Sequence, residues 1–403
     1  MNKRLLNPFK PGAGHRPPYL AGRETETQGF SRLLKQSTIL ENMVLTGLRG
    51  VGKTVLLDAF KPIAQKEGWF WVGTDLSESA SLNEENIAIR LLTDLSILTS
   101  PITIGQSQRR GIDFTSSPEI EEQKLDFQTL QQIYQNTPGL PIDKLKQVLE
   151  FVWSILKDIP DFKGIIFAYD EAQTMADHTD RDQYPLSLIL DIFQSIQKKD
   201  IPFMLALTGL PTLFPKLVDA RTYSERMFRV VFLDRLSDAA VRDAVEKPLE
   251  DHELKLSEQS IHQIIRLSDG YPYFIQYICR EVYDLFIQQI STGAVPSVPA
   301  SEIVRKLDSD FFSGRWAKAT DRQRELLAVI AQLEGCDTEF SVQEVVEKSK
   351  DLLEKPFGSS HVNQMLCTLS DAGLVYKNRR GKYSFAVPLL GGFIKRQEIQ
   401  EMV

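Results

Sequence analysis

The run Gly47-Leu48-Arg49-Gly50-Val51-Gly52-Lys53-Thr54 has the spacing G-x-x-x-x-G-K-[ST] of a phosphate-binding loop. Its glycines let main-chain N–H groups close around an anion where a side chain would block the approach. Lys53 can reach the β- and γ-phosphates of a nucleotide, and Thr54 can hold Mg²⁺. Leu48, Arg49, Val51 and Val55 complete the main chain around the anion. Hydrolysis of ATP needs two more groups, a carboxylate to organise Mg²⁺ and another to orient water. Asp170 and Glu171 stand directly after the apolar run 164–169 and suit those two roles, Asp170 for Mg²⁺ and Glu171 as base. Thr208 ends the next apolar run, where a hydroxyl can bond the attacking water or the γ-phosphate; it also suits a helix N-cap. Arg226, and after it Arg229, could stabilise charge at a neighbouring subunit's γ-phosphate. Gly270 and Pro272 open a long helix and can bring main chain close to the phosphates, although proline at a helix start needs no ligand to explain it.

These residues work only if strands and helices place them. Residues 43–46 read as a buried strand entering the loop and 54–65 as the helix leaving it, the order that puts a helix N-terminus on the anion. Further strands are predicted over 69–74, 164–169, 202–207 and 229–233, and helices over 24–36, 82–98, 142–156 and 185–198. The alternation over 40–235 predicts a doubly wound α/β sheet. Residues 99–141 are rich in Ser, Thr, Gln and Pro, and their weak periodicity predicts a partly ordered insertion. Beyond residue 236 the pattern turns helical, with predicted helices at 237–250, 257–267 and 272–289. Three further helices and a hairpin across Asn378-Arg379-Arg380-Gly381 predict a winged helix. The expected division is a lead-in and helix at 1–36, the nucleotide-binding core at 37–235, a helical lid at 236–300 and the winged helix at 301–403.

Composition excludes several classes. The net charge of −7 argues against a general polyanion binder. Cys279, Cys336 and Cys367 are odd in number and far apart, which fits a reducing cytoplasm rather than a disulfide framework. No signal-peptide core and no run long enough to cross a membrane are visible. The five histidines are scattered, so no zinc site is expected.

Taken together, the segments 7–9 and 17–24, Leu45–Thr54, Tyr169-Asp170-Glu171-Ala172-Gln173, Gly209-Leu210-Pro211 and Gly270-Tyr271-Pro272-Tyr273-Phe274 resemble the AAA+ branch of P-loop ATPases. More narrowly, they resemble the bacterial origin-recognition-like and STAND-like predicted ATPases. The resemblance implies an ASCE sheet of strand order 5-1-4-3-2 with a helical lid behind it. It also implies that Gly22 and Arg23 lie near the adenine, and that Gly270-x-Pro272 stands where replication-initiator relatives carry a sensor arginine. That last departure favours a slow nucleotide switch over fast, ring-type hydrolysis.

Lys377, Arg379, Arg380 and Lys382 place four positive charges in six residues at the expected wing tip, where DNA phosphates could bind. Residues 301–403 carry 15 basic and 15 acidic groups, however, and no Arg or Lys stands on the expected recognition helix. DNA and a protein surface therefore both stay open as partners. The function expected is Mg²⁺-dependent binding and hydrolysis of ATP, coupled to DNA or to assembly of an oligomer or partner complex. The alternatives are a STAND-like switch and a DNA-binding regulator, in which the ATP or ADP state controls oligomerisation.

Overall fold

The apolar runs that end at Thr46, Tyr169 and Gly209 become strands buried along their whole length. The computed structural model describes residues 6–36, 38–109, 119–252, 254–291, 298–379 and 381–401. Its strands are β1 (Asn42–Thr46), β2 (Trp69–Val72), β3 (Thr103–Arg109), β4 (Glu119–Lys124), β5 (Gly164–Tyr169), β6 (Phe203–Gly209), β7 (Phe228–Phe232), β8 (Phe340–Ser341), β9 (Val375–Arg379) and β10 (Lys382–Phe385). The chain divides into two units, one of residues 25–46 and 56–232, the other of residues 1–24, 47–55 and 233–403.

In the first unit, five strands form a parallel sheet of order β2-β5-β6-β1-β7. Numbered within that sheet alone, the order is 5-1-4-3-2, as expected. The three inner strands are buried throughout, and mostly apolar, because neighbours cover both faces. Helices Glu84–Thr99, Pro141–Leu156 and Pro185–Gln197 share one core with the sheet, in which Phe167 meets Phe193 and Phe203 at ring distances of 5.1 and 5.8 Å. Asn42 is a buried polar exception on β1. Its Oδ1 accepts from Leu205 N–H on β6 at 2.7 Å and from Gln197 Nε2 at 2.8 Å, while its Nδ2 donates to Met227 O at 3.3 Å. Fully bonded in this way, it ties the central strands to a covering helix.

The stretch 99–141 is more ordered than its composition suggests. β3 and β4 pair as an antiparallel hairpin, and Phe127–Asn136 is a helix capped by Asp126, whose carboxylate accepts from Thr129 N–H at 3.0 Å. Its middle, 110–118, lies outside the described residues. The fifth strand of the large sheet begins at Phe228, one residue earlier than the sequence pattern places it.

In the second unit, helices Asp238–Glu246, Glu258–Ser268 and Pro272–Ser291 pack together, the first two capped by Ser237 and Ser257. Helices Asp321–Ala331, Val342–Leu352 and Ser359–Asp371 follow, with a small antiparallel sheet of order β8-β10-β9. Thr320 and Gln323 form the expected capping box. A single apolar core runs through the unit from Phe9 and Ala21 to Ile394. Among the described residues no helix is long and apolar enough to cross a membrane.

Candidate functional site

The phosphate loop follows β1 and enters the helix Lys53–Lys66. Gly50 and Gly52 have φ of +78° and +93°, a region that side chains rarely adopt. Gly47 is needed for space: a Cβ there would lie 2.5 Å from the carbonyl oxygen of Leu233. Lys53 is buried, and its Nζ donates to the carbonyls of Gly47 and Leu48 at 3.0 Å each, which holds the cation against the loop's own main chain. Thr54 and Val55 are half-buried in the first turn of the helix, Val51 is buried and Arg49 is exposed.

Two other segments of the same unit brace this loop. Arg23 is buried and donates through Nη2 to Val51 O at 3.1 Å and to Asp234 O at 2.7 Å. Gly22, at φ +62°, sits where a Cβ would lie 2.7 Å from Ala240 Cβ. Gly270, at φ +74°, accepts from Leu236 N–H at 2.8 Å, and a Cβ there would lie 2.4 Å from Leu236 O. Pro272 then starts its helix, and the N–H of the following Tyr273 donates to Gly50 O at 3.1 Å. Tyr273 was not assigned a role from the sequence. Its main-chain bond shows how a Gly-x-Pro helix start reaches a phosphate loop.

In the other unit, Asp170 is buried at the end of β5. Its Oδ1 accepts from Glu171 N–H at 2.7 Å and from the Thr208 hydroxyl. Thr208 is wholly buried at the end of β6 and so stands on the carboxylate it would help to orient. Glu171 is exposed and takes a left-handed conformation at φ +52°, which turns its side chain out of the strand direction. Gln173 bridges it to the next loop. The amide donates through Nε2 to Glu171 Oε2, and Oε1 accepts from Leu210 N–H at 3.1 Å. Lys216 Nζ in turn donates to Gln173 O at 2.7 Å.

Two further carboxylates, Asp58 and Asp75, crowd this end of the sheet. Burial pushes both above the usual carboxylate range, and the charge of Asp170 adds to the shift at each. Both were missed from the sequence, yet each has a positional signal. Asp58 lies four residues after Thr54, on one helix face. Asp75 follows β2 much as Asp170 follows the adjacent parallel strand β5. This concentration of negative charge suits a divalent cation at Asp170. Among the described residues no group of three His, Cys, Asp or Glu side chains could hold a metal ion unaided, but a nucleotide's Mg²⁺ draws most of its ligands from phosphates and water.

The remaining sequence-singled residues lie apart. Arg226 is exposed on the short helix Ser224–Met227 and makes no ion pair among the described residues. Arg229 is half-buried on β7. At the hairpin β9–β10, Lys377 is exposed, whereas Lys382 Nζ bonds Glu344 Oε2 at 3.1 Å and is partly neutralised. Glu339 accepts from Asn378 beside it. Only the backbone of Arg379 is described, and Arg380 lies outside the described residues.

Comparison with solved structures agrees on the fold. The Walker-type ATPase PABY2304 of Pyrococcus abyssi matches over 94% of this chain and 97% of its own, with a TM-score of 0.58 at 15% identity. The ORC2 protein of Aeropyrum pernix in its ADP form matches over 96% and 97%, with a TM-score of 0.53 at 14% identity. Residues 309–394 match the model of a domain of unknown function, DUF8462. No curated protein matches the chain. The fold is that of an AAA+ P-loop NTPase, with a doubly wound parallel sheet followed by a helical region.

Proposed function

We propose that this protein binds ATP with Mg²⁺ and hydrolyses it to ADP and phosphate. The observation that carries the reading is the phosphate loop: two glycines in left-handed conformations lead into a helix N-terminus, with Lys53 held against the loop's carbonyls. Lys53 is assigned to the phosphate oxygens, and Thr54 and Asp170 to Mg²⁺, which when bound neutralises charge on the β- and γ-phosphates. Glu171 takes the proton of the attacking water, Gln173 and Thr208 hold the two carboxylates, and Gly22 and Arg23 border the nucleotide as they brace the loop. The solved P. abyssi relative is described as an ATPase, and the A. pernix relative was solved with ADP; both descriptions support the reading by analogy of fold.

The domain division proposed is a core at 37–235, a lid at 236–300 and a winged helix at 301–403. The protein is assigned to the cytoplasm and to assemblies of itself or with a partner protein, in which Arg226 completes a neighbour's site. Steady-state ATP turnover with Lys53→Ala and Glu171→Gln tests the reading. We expect Lys53→Ala to lose both binding and turnover, and Glu171→Gln to lose turnover by about a hundredfold or more while it still binds ATP. Wild-type turnover that survives Glu171→Gln would sink the assignment of the base.

A second reading, a slow nucleotide switch, draws support from the bond between Tyr273 N–H and Gly50 O, because it joins the phosphate loop directly to the long helix. Tight ADP retention with very slow turnover would favour it. DNA contact through Lys377, Arg379 and Arg380 is a weaker proposal, because Glu344 already engages Lys382.

A further inference from the structure

Asn7 is bonded through its whole side-chain amide. Its Nδ2 donates to Arg280 O at 2.9 Å and to Asp284 Oδ1 at 2.8 Å, and its Oδ1 accepts from Phe9 N–H at 3.0 Å. Phe9 is buried, with its ring edge-on to Tyr283 at 6.4 Å. Lys10 N–H then donates to Gln276 Oε1 at 3.3 Å. These partners descend the helix Pro272–Ser291 from residue 284 to residue 276, toward the end at which Tyr273 N–H bonds Gly50 O. Beyond Lys10 the segment reaches the phosphate loop, where a Cβ on Gly14 would lie 3.4 Å from Thr54 Cγ2. All of these residues belong to the second unit.

The segment is therefore a strap, latched to the helix at Asn7 and Phe9 and laid on the loop at Gly14. At the rise of an α-helix, Arg280 and Asp284 stand about 10 and 16 Å along the axis from Tyr273, so the latch is remote from the phosphate loop. The turn between latch and loop can act as a hinge. Gly14 has φ of +70°, and a Cβ on Gly12 would lie 2.0 Å from His15 Cδ2, so both positions call for glycine. Pro17 and Pro18 follow with fixed φ, which stiffens the far side of the turn. That side is held separately. Lys247 Nζ lies 4.6 Å over the ring of Tyr19 and donates to its hydroxyl at 3.1 Å, and Arg23 bonds Val51 O. Only the arm before the turn depends on Asn7 and Phe9.

We propose that this strap gates nucleotide exchange. While Asn7 and Phe9 are latched, the turn at Gly14 covers Thr54 and closes the loop to entry and exit; when the latch opens, the arm swings about the two glycines and uncovers it. The inference rests on the nucleotide reading above and goes beyond it, because the latch stands off the phosphate loop. A latch that makes no contact with the ligand opens equally well with and without it. Weakening the latch therefore speeds binding and release by the same factor and leaves affinity unchanged.

The test is stopped-flow binding and release of fluorescent ADP by the full-length protein, using Asn7→Ala, Asp284→Ala, the two together, and Lys53→Ala. The expected result is that both rate constants rise about tenfold in Asn7→Ala and about threefold in Asp284→Ala, with Kd held within about twofold. The double variant goes no further than Asn7→Ala, because Asp284 acts through Asn7. Asp284 is exposed, so its variant decides the matter even where Asn7→Ala folds poorly. Unchanged rates in both single variants, beside a Lys53→Ala protein that has lost binding, would overturn the gate and leave the nucleotide site standing. Faster release with unchanged association and weaker affinity would also overturn it, and would make the segment a support of the bound nucleotide. Hydrogen exchange without nucleotide tests the latch by itself: the amides of Phe9, Lys10 and Gly14 are expected to exchange faster in Asn7→Ala than in wild type, and equal rates would overturn the latch. A wild-type protein that binds no nucleotide would remove the nucleotide reading and the gate together.

Discussion

Thr208 has a single hydroxyl proton, and it goes to Asp170. Replacing it with valine keeps the volume and removes that bond, leaving the buried carboxylate without one of its orienting donors. We expect Thr208→Val to lower ATP turnover by about tenfold while ATP affinity changes by less than about threefold, and Thr208→Ser to recover most of the loss. Parallel turnover and binding assays check this. Asp75 offers a separate test, because its pKa is raised by burial and by Asp170. A raised carboxyl binds more protons in the folded chain than in the unfolded chain between the two pKa values, so it costs stability as the pH rises through that interval. Asp75→Asn removes the cost. Without nucleotide, we expect a Tm about 1–2 °C higher than wild type at pH 7–8, with the gain closing as the pH falls toward about 4. Thermal melts across that range decide it; a gain that persists at pH 4 would mean that charge is not its source.

Asn42 is where the scale of elements shows best. One amide on β1 bonds β6, the helix Pro185–Gln197 and the residue just before β7. Asn42→Ala leaves the Leu205 N–H and the Gln197 amide buried without these partners. We expect a loss of about 2–4 kcal/mol of stability, read from the shift in denaturant midpoint, with near-native ATP affinity in what remains folded. Asn42 is plain in the sequence as a polar residue at the start of an apolar strand, but nothing local shows that three elements converge on it. The hairpin β3–β4 was hidden for the opposite reason. A run such as Thr103–Arg109, with polar residues at both odd and even positions of its sequence, lacks the alternation that betrays a half-buried strand. The adjacent helix Phe127–Asn136 buries only Leu130 and Tyr134, too few to print a stripe.

At the scale of the whole molecule, burial sorts the three cysteines. Cys279 and Cys336 are buried, and burial raises both thiols, whereas Cys367 is exposed. We expect one thiol per chain to react promptly with a thiol reagent in native buffer and all three in denaturant, counted by mass spectrometry. Assembly is the other whole-molecule test. Arg226 is exposed on the short helix before β7. In light scattering after size exclusion, we expect Glu171→Gln with ATP to run as a larger species than Lys53→Ala, and Arg226→Ala to lower turnover per chain by about tenfold or more. Turnover in Arg226→Ala equal to wild type would remove that arginine from any neighbour's site.

The sequence alone carried the pattern of the phosphate loop and the alternation of strands and helices, while the expected order of the sheet came with the family resemblance. Glycine spacing, a lysine before a threonine, and continuous apolar strands ending in carboxylates are local patterns, and the physics that makes them useful acts within a few residues. The tertiary structure alone decided which distant groups serve those patterns. Thr208 and Asp170, Gln173 and Leu210, and Tyr273 and Gly50 meet only because strand register and helix packing bring together residues far apart in the chain. It also decided that Lys382 meets Glu344. A positive run in a sequence shows its own charges but not the carboxylates that folding places beside them, and electrostatic energy depends on distance through space.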